Sequence, residues 1–167
     1  MKASQEVRSY IKQIERLTFK AYPDPKTGGA PWTNGYGHAG VEPNSTCSEQ
    51  QAEDWFDEDI AAAEHEVDRY VIVPVSQGQY DALVSIFYNV GPGSSFRDGI
   101  GRLKNGQPST LIRKLNSLDY AGARAEFPKW CSPGSSVERG LKARRKYEVE
   151  HFWDNHSGSS QNSGRSP

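Results

Sequence analysis

The chain has 167 residues, enough for one domain with a buried core, and its 25 % charged and 35 % hydrophobic composition is that of an ordinary globular protein. No apolar run approaches the roughly 20 residues of a membrane span, and the opening MKASQEVRSYIKQIE is polar and amphipathic, unlike an export signal. The net charge of −1 conceals a split, because residues 1–96 carry 7 Lys and Arg against 14 Asp and Glu, whereas residues 97–167 carry 13 against 7. That split points to an anionic partner for the second half (nucleic acid, an anionic wall polymer or a membrane surface) or to a solvated basic helix with no partner. Cys47 and Cys131 have no metal-ligand spacing and cannot build a disulfide framework, so two buried free thiols are expected, with a single disulfide as the alternative.

Val7, Tyr10, Ile11 and Ile14 recur at helical spacing and predict a helix over 4–16 with Ser4 as its cap. Glu15 falls in the last turn, where the negative end of the helix dipole favours the protonated form that a general acid must carry. Leu17, Phe19 and Ala21 alternate as in a short strand, and Pro23 and Pro25 fix the backbone on both sides of Asp24. Residues 26–29 read as a turn and 32–38 as the returning strand. Its alternation places Trp32, Asn34, Tyr36 and His38 on one face and Thr33, Gly35 and Gly37 on the other. A hydroxyl between two glycines leaves open space for a water beside a substrate. Singly, each of these is an ordinary surface glutamate or glycine-rich hairpin; together, two carboxyls around a gap form the apparatus that splits a glycosidic bond.

Residues 48–72 predict the longest helix, about 37 Å at 1.5 Å per residue. Ser48 and Gln51 have the capping-box pattern, and Ala52, Trp55, Phe56, Ile60, Ala63, Val67 and Tyr70 form the apolar stripe. Asp54, Asp57, Glu58, Glu64 and Asp68 fall largely outside it. His65 lacks HExxH spacing and reads as a surface residue. Ser76 and Gln79 open another helix to about residue 88. The glycine-rich stretch 91–107 reads either as a loop beside a cleft or as a small helix. Short helices over 109–117 and 119–127 precede a break at 132–136, and the last helix, 137–153, carries Arg139, Lys142, Arg144, Arg145 and Lys146. The polar tail, 155–167, is expected to be disordered.

The run Glu15-Arg16-Leu17-Thr18-Phe19-Lys20-Ala21-Tyr22-Pro23-Asp24, followed by Thr33-Asn34-Gly35-Tyr36-Gly37-His38, resembles the phage-type lysozymes, a muramidase family with the pattern E-G-x-x-L-x-A-Y-x-D and then T-I-G-Y-G-H. Further segments match in order: Ser48 to Ala52, Gln79 to Gly91, Ser109 to Asn116, Phe127 and Trp130, and Gly140 to Glu148. The resemblance covers roughly residues 7–153. It departs from the pattern at Arg16 (usually Gly), at Asn34 (usually Ile, on a face expected to be apolar), and in the longer turn between Asp24 and Thr33.

The resemblance implies an α+β, two-lobed lysozyme-like fold over 1–154. A small β-hairpin lobe, about 15–60, would be joined by a long helix to a mostly helical lobe, about 74–154 with the N-terminal helix. It further implies a muramidase hydrolysing the β-1,4 bond between N-acetylmuramic acid and N-acetylglucosamine with inversion. Glu15 would protonate the leaving oxygen, while Asp24 and Thr33 handle the attacking water. Tyr36, His38, Asn89 and Arg145 would contact substrate. One arginine of the last helix, with Arg145 favoured, would pair with Glu15 or bind the polymer's carboxylates. No cofactor and no metal are expected. The partner would be peptidoglycan, without nucleic acid or membrane insertion. The protein would act as a monomeric endolysin held in the host cytoplasm until a holin releases it to the periplasm and wall. A lytic transglycosylase and a non-catalytic wall-binding relative are the alternatives.

Overall fold

The computed structural model describes residues 1–25 and 28–154. The Ser4 hydroxyl accepts from the Val7 amide and starts α1, Gln5–Glu15, which buries Val7, Tyr10 and Ile11. The segment before it is docked rather than free. The Ala3 amide donates to Glu64 at 2.7 Å, Lys2 pairs with the same carboxylate at 2.6 Å, and the Ser4 amide donates to Asp81 at 2.9 Å. Glu64 is therefore buried, not on the solvent face expected for it, because the N-terminus supplies its partners.

Three antiparallel strands follow in the order β1-β2-β3: β1 Thr18–Pro23, β2 Trp32–Gly35 and β3 His38–Val41. The segment read as one returning strand is two, joined by a turn at Tyr36 and Gly37. The break occurs where Gly35 takes φ +60° and Gly37 φ +90°, a left-handed backbone that ends strand alternation. The sheet rests on α2, Glu49–Tyr70; a Cβ on Gly35 would lie 3.4 Å from that of Ala52. At 22 residues α2 runs about 33 Å, and both halves of its capping box, Ser48 and Gln51, are in place.

A second complete capping box, Ser76 and Gln79, opens α3, Gln77–Val90. Then come α4, Thr110–Asn116, α5, Tyr120–Arg124, a 3₁₀ turn at Phe127–Lys129, and α6, Glu138–Tyr147, which continues as a π-helical segment over Glu148–Trp153. α3 is buried on nearly every side and forms the centre of a core shared with Ile11 of α1, Phe56 and Ile60 of α2, Leu111, Phe127 and Phe152. Val7, Tyr10 and Ile11 of the first helix pack into this core, while its last residue, Glu15, lies against Gly37 beside the sheet. Cys47 and Cys131 are free and buried.

The 91–107 stretch holds no helix and is a loop folded tightly on itself. Gly99 donates to Arg102 at 2.9 Å and Arg102 to Pro92 at 2.9 Å. Cβ atoms at Gly93, Gly99 or Gly101 would come within 2.7 Å of backbone or of the Tyr70 ring, so close approach explains the glycines. Ile100 pins the loop to the core. The tail at 155–167 and residues 26 and 27 of the turn predicted at 26–29 lie outside the described residues. No described helix is long and apolar enough to cross a membrane.

Candidate active site

Glu15 is the last residue of α1, and its carboxylate is held by a residue of the last helix. Nη1 of Arg144 donates to Glu15 Oε1 at 2.5 Å. Arg144 is itself fixed from behind: Nη2 donates to the Ser85 carbonyl at 3.1 Å and Nε to Glu148 at 3.2 Å. Glu148 is fully buried and also accepts from Ser85 Oγ and Arg145 Nη2, both at 2.7 Å. Burial disfavours the charge on Arg144, but Glu148 and Glu15 outweigh it and raise its pKa overall. Arg145 is pushed the other way, by burial first and by its like-charged neighbour, with Glu148 offsetting only part. Glu148 therefore acts as a shared counter-ion that lets one arginine face Glu15.

The other side of Glu15 is covered by backbone. A Cβ on Gly37, at φ +90°, would lie 3.3 Å from Glu15 Oε2, so this position needs glycine both for conformation and for space. The turn is tied down across the molecule, where Tyr88 Oη donates to the Tyr36 carbonyl at 2.7 Å. Burial and the nearby Glu15 carboxylate raise the pKa of Tyr22.

Glu15, Asp24 and Thr33 line one open cavity of about 690 Å³, together with Tyr22 and Asn89. Arg97 and Asp98 of the glycine-rich loop line it too, as do Trp130, Ser132 and Leu141. Asp24 sits in a loop that closes on itself, its amide donating to the Gly29 carbonyl at 3.0 Å and its carbonyl accepting from the Gly28 amide at 2.8 Å. A carboxyl ordered by an arginine, a second carboxyl and a hydroxyl around a groove suit acid-assisted cleavage of an acetal with positioned water. Among the described residues no three His, Cys, Asp or Glu side chains gather to hold a metal.

The remaining expected substrate contacts divide. Asn89 is in the cavity. Tyr36 and His38 are not among its lining residues, because the turn between β2 and β3 aims them at α2. Tyr36 Oη donates to Glu53 at 3.1 Å, and His38 stacks on Trp55 with its Nδ1 2.9 Å from Asp59. They brace the sheet against α2. Arg145 is also excluded, fully buried on Glu148, and Arg144 takes the place beside Glu15. Successive helical residues point about 100° apart, so only one of the pair can face the cavity side. The sequence placed Arg144 among the arginines that could pair with Glu15 but favoured Arg145, and it did not single out Arg97. The (i, i+4) spacing of Arg144 and Glu148 was the signal available for Arg144; the loop offered none for Arg97.

The two departures from the motif are visible locally. Arg16 closes α1 with φ 57° and ψ 144°, a conformation that suits glycine. Asn34 is 0 % exposed and neither amide atom has a hydrogen-bond partner.

A family model for phage lysozyme matches residues 12–148. The endolysin of Bacillus phage PZA is 39 % identical over 167 residues, covering 99 % of this chain and 59 % of its own length. The endolysin of Acyrthosiphon pisum secondary endosymbiont phage 1 is 35 % identical over 157 residues, covering 91 % of this chain and 98 % of that one. The chain thus spans about three fifths of the Bacillus phage relatives it matches. The solved endolysin from Escherichia coli O157:H7 phage FAHEc1 superposes with a TM-score of 0.71 at 28 % identity, covering 92 % of this chain and 94 % of that one. In sequence over most of its length, and in the α+β arrangement of a small sheet on a long helix, the chain belongs to the phage lysozyme family.

Proposed function

We propose that this protein is a phage endolysin with muramidase activity, cutting the β-1,4 bond between N-acetylmuramic acid and N-acetylglucosamine in peptidoglycan. The observation that carries the reading is the Glu15–Arg144 pair in a groove that also holds Asp24 and Thr33. Glu15 protonates the leaving glycosidic oxygen. Asp24 orients and deprotonates water or stabilises the cationic transition state, and Thr33 holds that water on the opposite face, which predicts inversion at the anomeric carbon. Asn89 contacts the glycan. Digestion of purified sacculi followed by mass spectrometry of the fragments tests the reaction type. Hydrated reducing muramic acid ends support hydrolysis, whereas 1,6-anhydro ends would replace it with a lytic transglycosylase.

The protein acts as a monomer that waits in the host cytoplasm and is released to the wall by a holin. Expression of the chain alone should leave host cells intact, and co-expression with a holin should lyse them. Lysis without any holin would refute the route. A single species at about 19 kDa is expected in light scattering.

A further inference from the structure

The glycine-rich loop places a tethered cation in the cavity that Glu15 lines. The turn that carries Arg97 is closed by Ser94, whose hydroxyl accepts from the Phe96 and Arg97 amides at 3.2 Å and whose own amide donates to the Arg97 carbonyl at 2.8 Å. The side chain is tethered too: Nη2 donates to the Val90 carbonyl at 3.0 Å, at the end of α3. That partner is neutral and Arg97 forms no ion pair among the described residues, so its other N–H groups remain for a ligand. The contrast within the same cavity is Lys129, whose ammonium is spent on Glu126 at 2.8 Å. Asp98, the neighbouring acid, turns Oδ1 to the Lys104 amide at 2.7 Å and so stiffens the loop.

We propose that Arg97 is a specificity-determining residue that binds a free carboxylate on the lactyl-peptide arm of N-acetylmuramic acid. The inference rests on the muramidase reading. The glycan backbone of that polymer is uncharged, and its muramic acid units carry their carboxylates on this arm. A forked guanidinium fixed at one nitrogen presents the rest of its plane, the geometry that accepts a carboxylate by two N–H groups. With the loop pinned by Ile100, binding there costs little ordering, which is the condition under which a single charged contact selects between substrates.

The test compares native soluble peptidoglycan strands with strands whose carboxylates have been converted to carboxamides. Amidation should lower kcat/KM of the parent enzyme on the order of tenfold. With Arg97→Ala the ratio between the two polymers should fall to about one, and Arg97→Lys should restore part of it. Strands stripped of their stems by an amidase, which retain only the lactyl carboxylate, report which carboxylate is read. An unchanged ratio in Arg97→Ala, or a loss of equal size on both polymers, would overturn the inference. The same comparison made by sedimentation of Glu15→Gln protein with the polymers reads binding without turnover. Absence of cleavage by the parent enzyme would defeat the muramidase reading, while this binding comparison would still decide whether Arg97 senses the carboxylate.

Discussion

Arg144 reaches Glu15 across 129 residues of sequence, with its Nη1 2.5 Å from the carboxylate, and Glu148 holds the same guanidinium from the far side. The Glu15 carboxylate is thus positioned by a buried network running from α6 through Ser85 of α3. Arg144→Met removes the positive member between two carboxylates. The expected result is a loss of about 3 kcal/mol in denaturant unfolding, with a fall in kcat larger than the change in KM. Arg144→Lys keeps the charge without the fork and should fall between the two. Parent-like stability and kcat in Arg144→Met would contradict the role.

Arg16 ends α1 in a backbone conformation that glycine adopts freely. Arg16→Gly should stabilise the protein by about 1 kcal/mol, the relief of a strained φ less the extra freedom of glycine in the unfolded chain. Thermal unfolding checks it, and a lower Tm would show that the side chain contributes more than its backbone costs.

Asn34 is buried with an unpartnered amide in β2. Asn34→Val substitutes a strand-favouring apolar side chain of similar size and should raise stability by about 1–2 kcal/mol. Equilibrium unfolding in urea measures it; destabilisation would mean that the site cannot accept the branched side chain.

Glu126 lies buried between Lys114 at 2.7 Å and Lys129 at 2.8 Å, and hydrogen bonds from the two ammonium groups, Lys114 first, hold its pKa below the ordinary carboxylate value. The contribution is complete above the unfolded value of about 4.3 and is lost as pH falls through the lower folded-state value. Glu126→Gln removes it. The drop in Tm between about pH 7 and about pH 3 should therefore be smaller in the variant than in the parent; equal drops would contradict the assignment.

Local chemistry was legible in the sequence where its partners are neighbours. The capping boxes at Ser48 with Gln51 and at Ser76 with Gln79 need only three residues and appear as read. The strand over 32–38 was not, because its end depends on the left-handed φ of Gly35 and Gly37, and alternation alone does not reveal where pairing stops. Arg144 and Arg145 were indistinguishable because the phase of α6 against α1 is set by packing 129 residues away. Glu64 had the spacing of a solvent-facing residue, and its burial follows from the docking of Lys2 and Ala3. The grouping of Glu15, Asp24 and Thr33 was suggested by their order, and one reading of 91–107 was a loop beside a cleft, but nothing local singled out Arg97 within it.

The most direct test of the account is the digestion of purified sacculi by the parent protein and by Glu15→Gln, read by mass spectrometry of released muropeptides and by sedimentation of bound protein. The account predicts reducing-end muropeptides from the parent, a loss of at least about a thousandfold in their rate of release with Glu15→Gln, and retained binding by the variant. Release at a comparable rate by Glu15→Gln would contradict it, because the proton would then come from another residue.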